Sequence, residues 1–371
     1  MIYLDYQATT PLAPEARAAM LPFLDEKFGN PHSPHRMGRE AAAAVEVARE
    51  AVADLLGDGH KAGRLLFTSG ATEAANWVIQ RAPKGRRRIV TIATEHACVR
   101  DTAEYMATLG FEAVLLPVGR DGLVDLDQAA DAIDGETALV AVMLVNNEIG
   151  VIQPIAALSA MARAAEALFF CDAVQGYGRV PLPVDACDMI AISAHKIHGP
   201  KGIGALWLRD GIDLPPLLHG GGQEGSIRSG TLAPALCAGF GAAARLAMQR
   251  ADLDTAHVES LWARAKAALG NQWLLNGAAD ARYHGNMNVR ADGIDAARLI
   301  SELRDLAFSA GSACASGSGR PSHVLKALGL SDSEARSSIR LGFGRYTTAE
   351  DIDSAMASIN AAAERQQEWA A

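Results

Sequence analysis

The sequence predicts an α/β protein built on a doubly wound, mainly parallel sheet of seven strands, with a smaller α+β domain. Three observations carry that expectation. Short apolar runs recur between positions 65 and 209, segments with helical spacing separate several of them, and polar or titratable residues follow directly on the runs. Near-continuous apolar strands interleaved with helices belong to a parallel sheet covered on both faces.

The runs come in order. Residues 65–67 lead into Thr68, Ser69 and Gly70, then a helical pattern over 72–82. Residues 88–94 end at Glu95 and His96, residues 112–118 follow, and residues 138–145 end at Asn146, Asn147 and Glu148. A helical pattern over 154–167 precedes the run 168–170, which ends at Cys171 and Asp172. Residues 189–193 run into Ala194, His195 and Lys196, and residues 204–209 return after a glycine-bounded turn, as a hairpin that adds one antiparallel strand. After position 250 the alternation stops. A helical pattern over 254–270, a helix-like stretch over 295–307, a strand-like stretch over 337–348 and a closing helix over 349–366 suggest the α+β domain. The expected division is a large domain at 14–250 and a small one made of 1–13 and 251–371, carrying a glycine- and serine-rich loop at about 309–322.

Composition narrows the function classes. The 371 residues are 49% hydrophobic and 21% charged, ordinary for a soluble globular protein. The net charge of −9 disfavours nucleic acid as a ligand, because phosphate-tracking surfaces are basic. Five widely spaced cysteines with no CxxC pair argue against a disulfide framework or structural zinc and for a reducing compartment. His32 and His35 are too few ligands for a closed metal site, so no metal is expected. No membrane-spanning run and no leader pattern is visible, and the expected location is cytoplasmic.

Ligands of such sheets bind at the carboxyl ends of the strands. Gly70, Ala71 and Thr72 open a helix there, and the free first-turn amides make an anion site; plain helix capping is the alternative reading. Lys196 leaves an apolar strand, where desolvation disfavours its charge, the setting of a Schiff-base lysine; its head could instead snorkel to solvent. Ser193 and His195 flank it and can donate to a phosphate. Asp172 can keep a pyridine nitrogen protonated, and His96 can stack on a planar ring and carry protons; a capping carboxylate and an ordinary loop histidine are the alternatives. Cys98, Cys171, Cys187 and Cys237 read as small buried hydrophobes. Cys314 lies in the loop of small residues, where nothing obvious buries it. An anion cradle, a strand-end lysine, a carboxylate and a histidine together point to pyridoxal 5'-phosphate.

With these motifs in place, the chain resembles the NifS- and IscS-type cysteine desulfurases of the class V aminotransferase group, fold-type I pyridoxal-phosphate enzymes. The resemblance rests on YLDYQATTP, FTSGATEAAN, TEHACV, VNNEIGVIQP, CDAVQGYG, SAHKIHGPKGIGAL, HGGGQEGSIRSGT, SAGSACASGS and SSIRLGFGRYTT, spread in order over almost the whole chain. It implies that Lys196 carries the cofactor and moves protons, that His96 stacks on the ring, that Asp172 pairs with the ring nitrogen and that Gln175 bonds the ring hydroxyl. Ala71, Thr72, Ser193 and His195 would hold the phosphate, with Thr231 reaching into the partner subunit of a homodimer. Asn147 and Arg340 would bind substrate, the arginine by a bidentate grip on its carboxylate. Cys314 would take the sulfur of L-cysteine as a persulfide and pass it to an acceptor protein, for iron–sulfur cluster assembly or another sulfur-transfer pathway. Two rivals stay open on the residues: a selenocysteine lyase or other pyridoxal-phosphate aminotransferase, and a non-catalytic scaffold subunit.

Overall fold

A computed structural model describes residues 1–83, 85–310 and 321–370. Its elements are β1 (Ile2–Tyr3), α1 (Pro14–Leu24), α2 (Arg36–Asp54), β2 (Gly63–Thr68), α3 (Ala71–Gln80), β3 (Arg88–Ile92), α4 (Ala97–Thr108), β4 (Glu112–Leu116), α5 (Leu126–Ala132), β5 (Thr137–Met143), α6 (Ile155–Ala164), β6 (Leu168–Asp172), β7 (Met189–Ser193) and β8 (Gly204–Arg209). α7 (Pro234–Ala268) leads on to β9 (Leu274–Leu275), β10 (Asn286–Arg290), α8 (Ala296–Glu302), β11 (Leu306–Ala307), α9 (His323–Ala327), α10 (Asp332–Arg336), β12 (Ser338–Gly342) and α11 (Ala349–Ala370).

The apolar runs are strands because both of their faces are covered. Every residue of β5 is buried, and its side chains alternate between two cores. Val140 and Val142 pack with Phe67, Phe169, Ile190 and Phe240 on one face. Leu139 and Ala141 pack with Trp77, Phe170, Met189 and Leu206 on the other. Full burial of such a side chain contributes roughly 1.5–3 kcal/mol each, so the period-2 pattern fixes the register strongly.

The strands lie in the order β2-β8-β7-β6-β5-β3-β4. β8 runs antiparallel to both of its neighbours, β2 and β7, and the other pairings of this sheet are parallel. The expected hairpin is therefore present, but β8 is an interior strand, and β2 pairs on its far side. Gly204 at the start of β8 makes this approach possible: a Cβ there would lie 2.6 Å from the Ile192 carbonyl and 2.8 Å from the Gly70 Cα.

A third core of Leu4, Leu261, Trp262, Met287, Ile339, Leu341, Ile352 and Ile359 lies against the antiparallel sheet β12-β10-β9. α7 differs from the expected helix over 254–270. It is one helix of 35 residues that passes through position 250, its first half packing Cys237 and Phe240 into one core and its second half Leu261 and Trp262 into another. The helix-like stretch at 295–307 is shorter than its pattern: α8 ends at Glu302, and Leu306 and Ala307 pair with Ile2 and Tyr3 as strand. No helix of the described residues is long and apolar enough to cross a membrane.

Candidate active site

Polar groups at the ends of β2, β3, β5, β6 and β7 converge on one cavity of ≈ 770 Å³. Ala71, Thr72, Ser193 and His195 are among its lining residues, as are His96, Asp172, Gln175, Lys196, Asn147 and Arg340. Thr231 is exposed and outside this cavity. Cys314 falls within 311–320, outside the described residues.

Lys196 is presented by a tight turn after β7. Its next neighbour but one, His198, adopts φ 68, a left-handed conformation stabilised by a bond from its amide to Thr10 Oγ1 (2.8 Å) and a contact of its Nδ1 with the Pro11 carbonyl (2.9 Å). The Lys196 Nζ donates to the carbonyls of Gln7 (2.6 Å) and Ala8 (2.8 Å). Burial, then the cations Arg179 and Arg340, pull its pKa down to about 7, against the opposing pull of Asp172 and Asp5. An amine poised near neutrality is what a carbonyl-trapping lysine needs.

Asp172 closes β6, with Oδ1 accepting the Val174 amide at 3.0 Å. Burial raises its pKa, while His96 and Lys196 draw it back. His96 caps α4: its Nδ1 accepts the Cys98 amide at 3.1 Å, so in the neutral ring Nε2 carries the proton. Burial first, then the neighbouring lysines, pull His195 down to about 4, so at neutral pH it is an uncharged partner, 3.1 Å from Thr9 Oγ1.

The anion loop is held from outside. Helix α3 has no side-chain cap, and its first-turn amides open on the cavity at Ala71 and Thr72. Glu73 turns back to accept the Ser69 amide (2.7 Å) and a two-pronged ion pair from Arg228 (2.8 and 3.0 Å). Burial pushes Glu73 up, but Arg228 and Ser69 outweigh it and hold the carboxyl ionised below its usual range.

Several residues differ from expectation. Gln175 is largely committed: Nε2 donates to the Gln7 carbonyl (2.9 Å) and Oε1 accepts from Arg179 (2.6 Å), which leaves one N–H for a ring hydroxyl. Arg340 is not a free fork, since its Nη2 already bonds Asp5 Oδ1 (2.6 Å) and Ser309 Oγ (3.2 Å). Cys98 is no plain core residue; it is partly exposed and lines the cavity, with a thiol that burial keeps protonated. Cys171, Cys187 and Cys237 are buried.

The structure adds groups that the sequence reading did not name as site residues. Glu95 is wholly buried; Oε1 accepts the Met143 amide (2.6 Å), Oε2 has no partner among the described residues, and burial followed by the charge of Asp172 raises its pKa well above the usual carboxylate value. Glu148 is buried, accepts the Ser322 hydroxyl, and is raised by burial against the pull of Ser322, His323, Arg340 and His96. His323 lines the cavity and its Nε2 lies 2.8 Å from the Glu95 carbonyl, which can only accept, so that nitrogen is the donor. The signal for Glu95 and Glu148 was their place after a strand; His323 had none, because it arrives from the far end of the chain.

This donor set fits pyridoxal phosphate. Free helix amides with a hydroxyl suit a phosphate, a carboxylate with one oxygen uncommitted suits a pyridine nitrogen, and a depressed lysine suits an aldehyde. A pyridoxal-phosphate enzyme is the class that fold and cavity define. The aminotransferase class-V family model matches residues 2–354, and the chain belongs to that family, whose members use this cofactor. It is 44% identical over 367 residues to the cysteine desulfurase IscS of Rickettsia bellii, covering 96% of this chain and 89% of that protein. It is 47% identical over 363 residues to the mitochondrial cysteine desulfurase of Saccharomyces cerevisiae, covering 95% and 73%. Among solved structures, a NifS-like protein superposes with a TM-score of 0.90 at 32% identity, covering 98% and 99% of the two chains.

Proposed function

We propose that the protein is a cysteine desulfurase that converts L-cysteine to L-alanine and loads the sulfur on Cys314 as a persulfide. The observation that carries this reading is the shared cavity of Lys196, Asp172 and Arg340 in a chain so similar to curated cysteine desulfurases.

The roles follow from chemistry. Ala71, Thr72, Ser193 and His195 would hold the phosphate, and Lys196, whose amine is half neutral near pH 7, would take the aldehyde carbon. When bound, the cofactor supplies an electron sink for the carbanion formed as the substrate's α-proton leaves. Asp172 keeps the pyridine nitrogen protonated, as a buried carboxylate opposed to a cation. Lys196 and the His96 Nε2 are the groups that carry protons at the substrate carbons. Arg340 and Asn147 hold the α-carboxylate. The Cys314 thiolate attacks the substrate sulfur, an S–S bond forms, and the C–S pair passes to carbon, where a proton completes alanine. The balance is cysteine plus thiol to alanine plus persulfide, with no external oxidant.

The same reading includes a cytoplasmic homodimer with Thr231 serving the partner's site, a division at about residue 250, and a sulfur-acceptor protein for iron–sulfur cluster assembly. Exposure of Leu21 (47%), Leu24 (65%) and Phe28 (75%) supports a partner over α1. Cys314→Ser tests the reading: the bound cofactor's absorbance stays, and sulfide release from L-cysteine stops. Sulfide release at the wild-type rate would remove Cys314 from the chemistry.

A further inference from the structure

We propose that Asp5 is a resident carboxylate occupying the fork of Arg340, which the α-carboxylate of an amino acid must displace, so that Asp5 weakens the binding of substrate and product. The inference rests on the reading of Arg340 as the carboxylate-binding residue.

Three backbones lie side by side here. Asp5 bridges Gly342 in parallel, and Ser309 bridges Arg340 in antiparallel, with the Arg340 amide 2.7 Å from the Ser309 carbonyl and the Ser309 amide 3.2 Å from the Arg340 carbonyl. The side chains of Asp5 and Ser309 are thereby fixed on the guanidinium of Arg340, whose own side chain is 2% exposed. A guanidinium has five N–H groups. Nη1 gives one to the Asn147 carbonyl at 3.0 Å. Nη2 gives both of its hydrogens away, to Asp5 Oδ1 at 2.6 Å and to Ser309 Oγ at 3.2 Å, and the Ser309 hydroxyl donates to Asp5 Oδ1 at 2.9 Å. Nε is buried without a partner among the described residues.

A two-pronged grip on a carboxylate uses two parallel N–H groups on one edge of the guanidinium, either Nε with Nη2 or Nη1 with Nη2. Both edges include Nη2, and Nη2 is full. An incoming carboxylate therefore gets one N–H at a time unless it displaces Asp5 or Ser309. It also meets the negative charge of Asp5 a few ångströms away, beside a guanidinium that is almost wholly buried. Arg340 and Asp5 cancel each other when the site is free, and a bound α-carboxylate gives the cluster a net negative charge. The pair keeps the buried guanidinium neutralised and in place between turnovers, and it favours departure of the product, which carries the same carboxylate.

The Asp5→Asn holoenzyme tests this, because an amide oxygen still accepts from Arg340 Nη2 and Ser309 Oγ while the charge is gone. Equilibrium binding of L-alanine by calorimetry should tighten about tenfold, and the KM for L-cysteine should fall with it. Binding of L-alaninamide, which lacks the carboxylate, should not change. A merely structural role would weaken binding or leave it alone, and either result overturns the proposal, as does equal tightening of alaninamide. Asp5→Ser, which also removes the charge, is the second variant should the first not fold. Arg340→Gln separates the two readings. If it loses L-alanine affinity while Asp5→Asn gains none, the Asp5 proposal alone falls; if it binds L-alanine as wild type does, both fall.

Discussion

Raising the pH over apo-protein tests the state of Lys196 directly, because acylating reagents attack only the neutral amine. With a pKa of about 7, set by burial and by Arg179 and Arg340, half of the Lys196 amine is neutral at pH 7. An ordinary lysine amine near 10.4 is roughly 1 part in 2500 neutral at that pH. The sign is fixed by the depressed value: labelling rises about tenfold per unit below pH 6, bends at about 7 and is flat above 8, where ordinary lysines are still climbing. Trace acylation at a series of pH values, followed by peptide mass spectrometry, reads the curve for Lys196 beside those of exposed lysines in one sample. Arg340→Gln should move the bend upward, because it removes one of the cations that disfavour the charged form. A Lys196 curve that climbs in parallel with the exposed lysines to pH 10 would refute the depressed amine, and with it the reason for expecting a carbonyl-trapping lysine here.

Two further outcomes concern the frame of the site. Glu224 is held by Arg49 through bonds of 2.7 and 2.8 Å, accepts the Phe67 amide at 3.0 Å, and has a side chain only 2% exposed. Glu224→Ala leaves the Phe67 amide without its acceptor and Arg49 with only Glu46 and the Leu65 carbonyl, and denaturant melts should show a loss of about 2 kcal/mol. Ser322→Ala removes both the hydroxyl bonded to buried Glu148 and the cap of α9, and the same melts should show a loss of about 2 kcal/mol.

Much of this site was legible because strands buried on both faces have an unmistakable texture. The runs that became β3, β5, β6 and β7 each delivered their polar follower to the cavity, so His96, Asn147, Asp172 and Lys196 could be found by position alone. The second neighbour of β8 could not be read, since the β2–β8 pairing joins segments more than 130 residues apart and no local signal encodes it. The same reason hid Asp5 and His323, which reach the site from the two ends of the chain. Glu95 looked like any polar residue after a strand; burial first, then the charge of Asp172, raises its pKa well above the usual carboxylate value. Expectation also failed for α8, where apolar spacing continued past Glu302 but Leu306 found a strand partner in Ile2, and tertiary pairing overrode the helical pattern.

In the proposed reaction sulfur leaves L-cysteine and is captured on one thiol. Brief incubation of the holoenzyme with L-cysteine, a quench, and peptide mass analysis test it most directly. One added sulfur atom is expected on the peptide containing Cys314, formed in step with one alanine per site. Alanine produced with no sulfur on that peptide, or sulfur carried instead on Cys98 in the cavity wall, would contradict it.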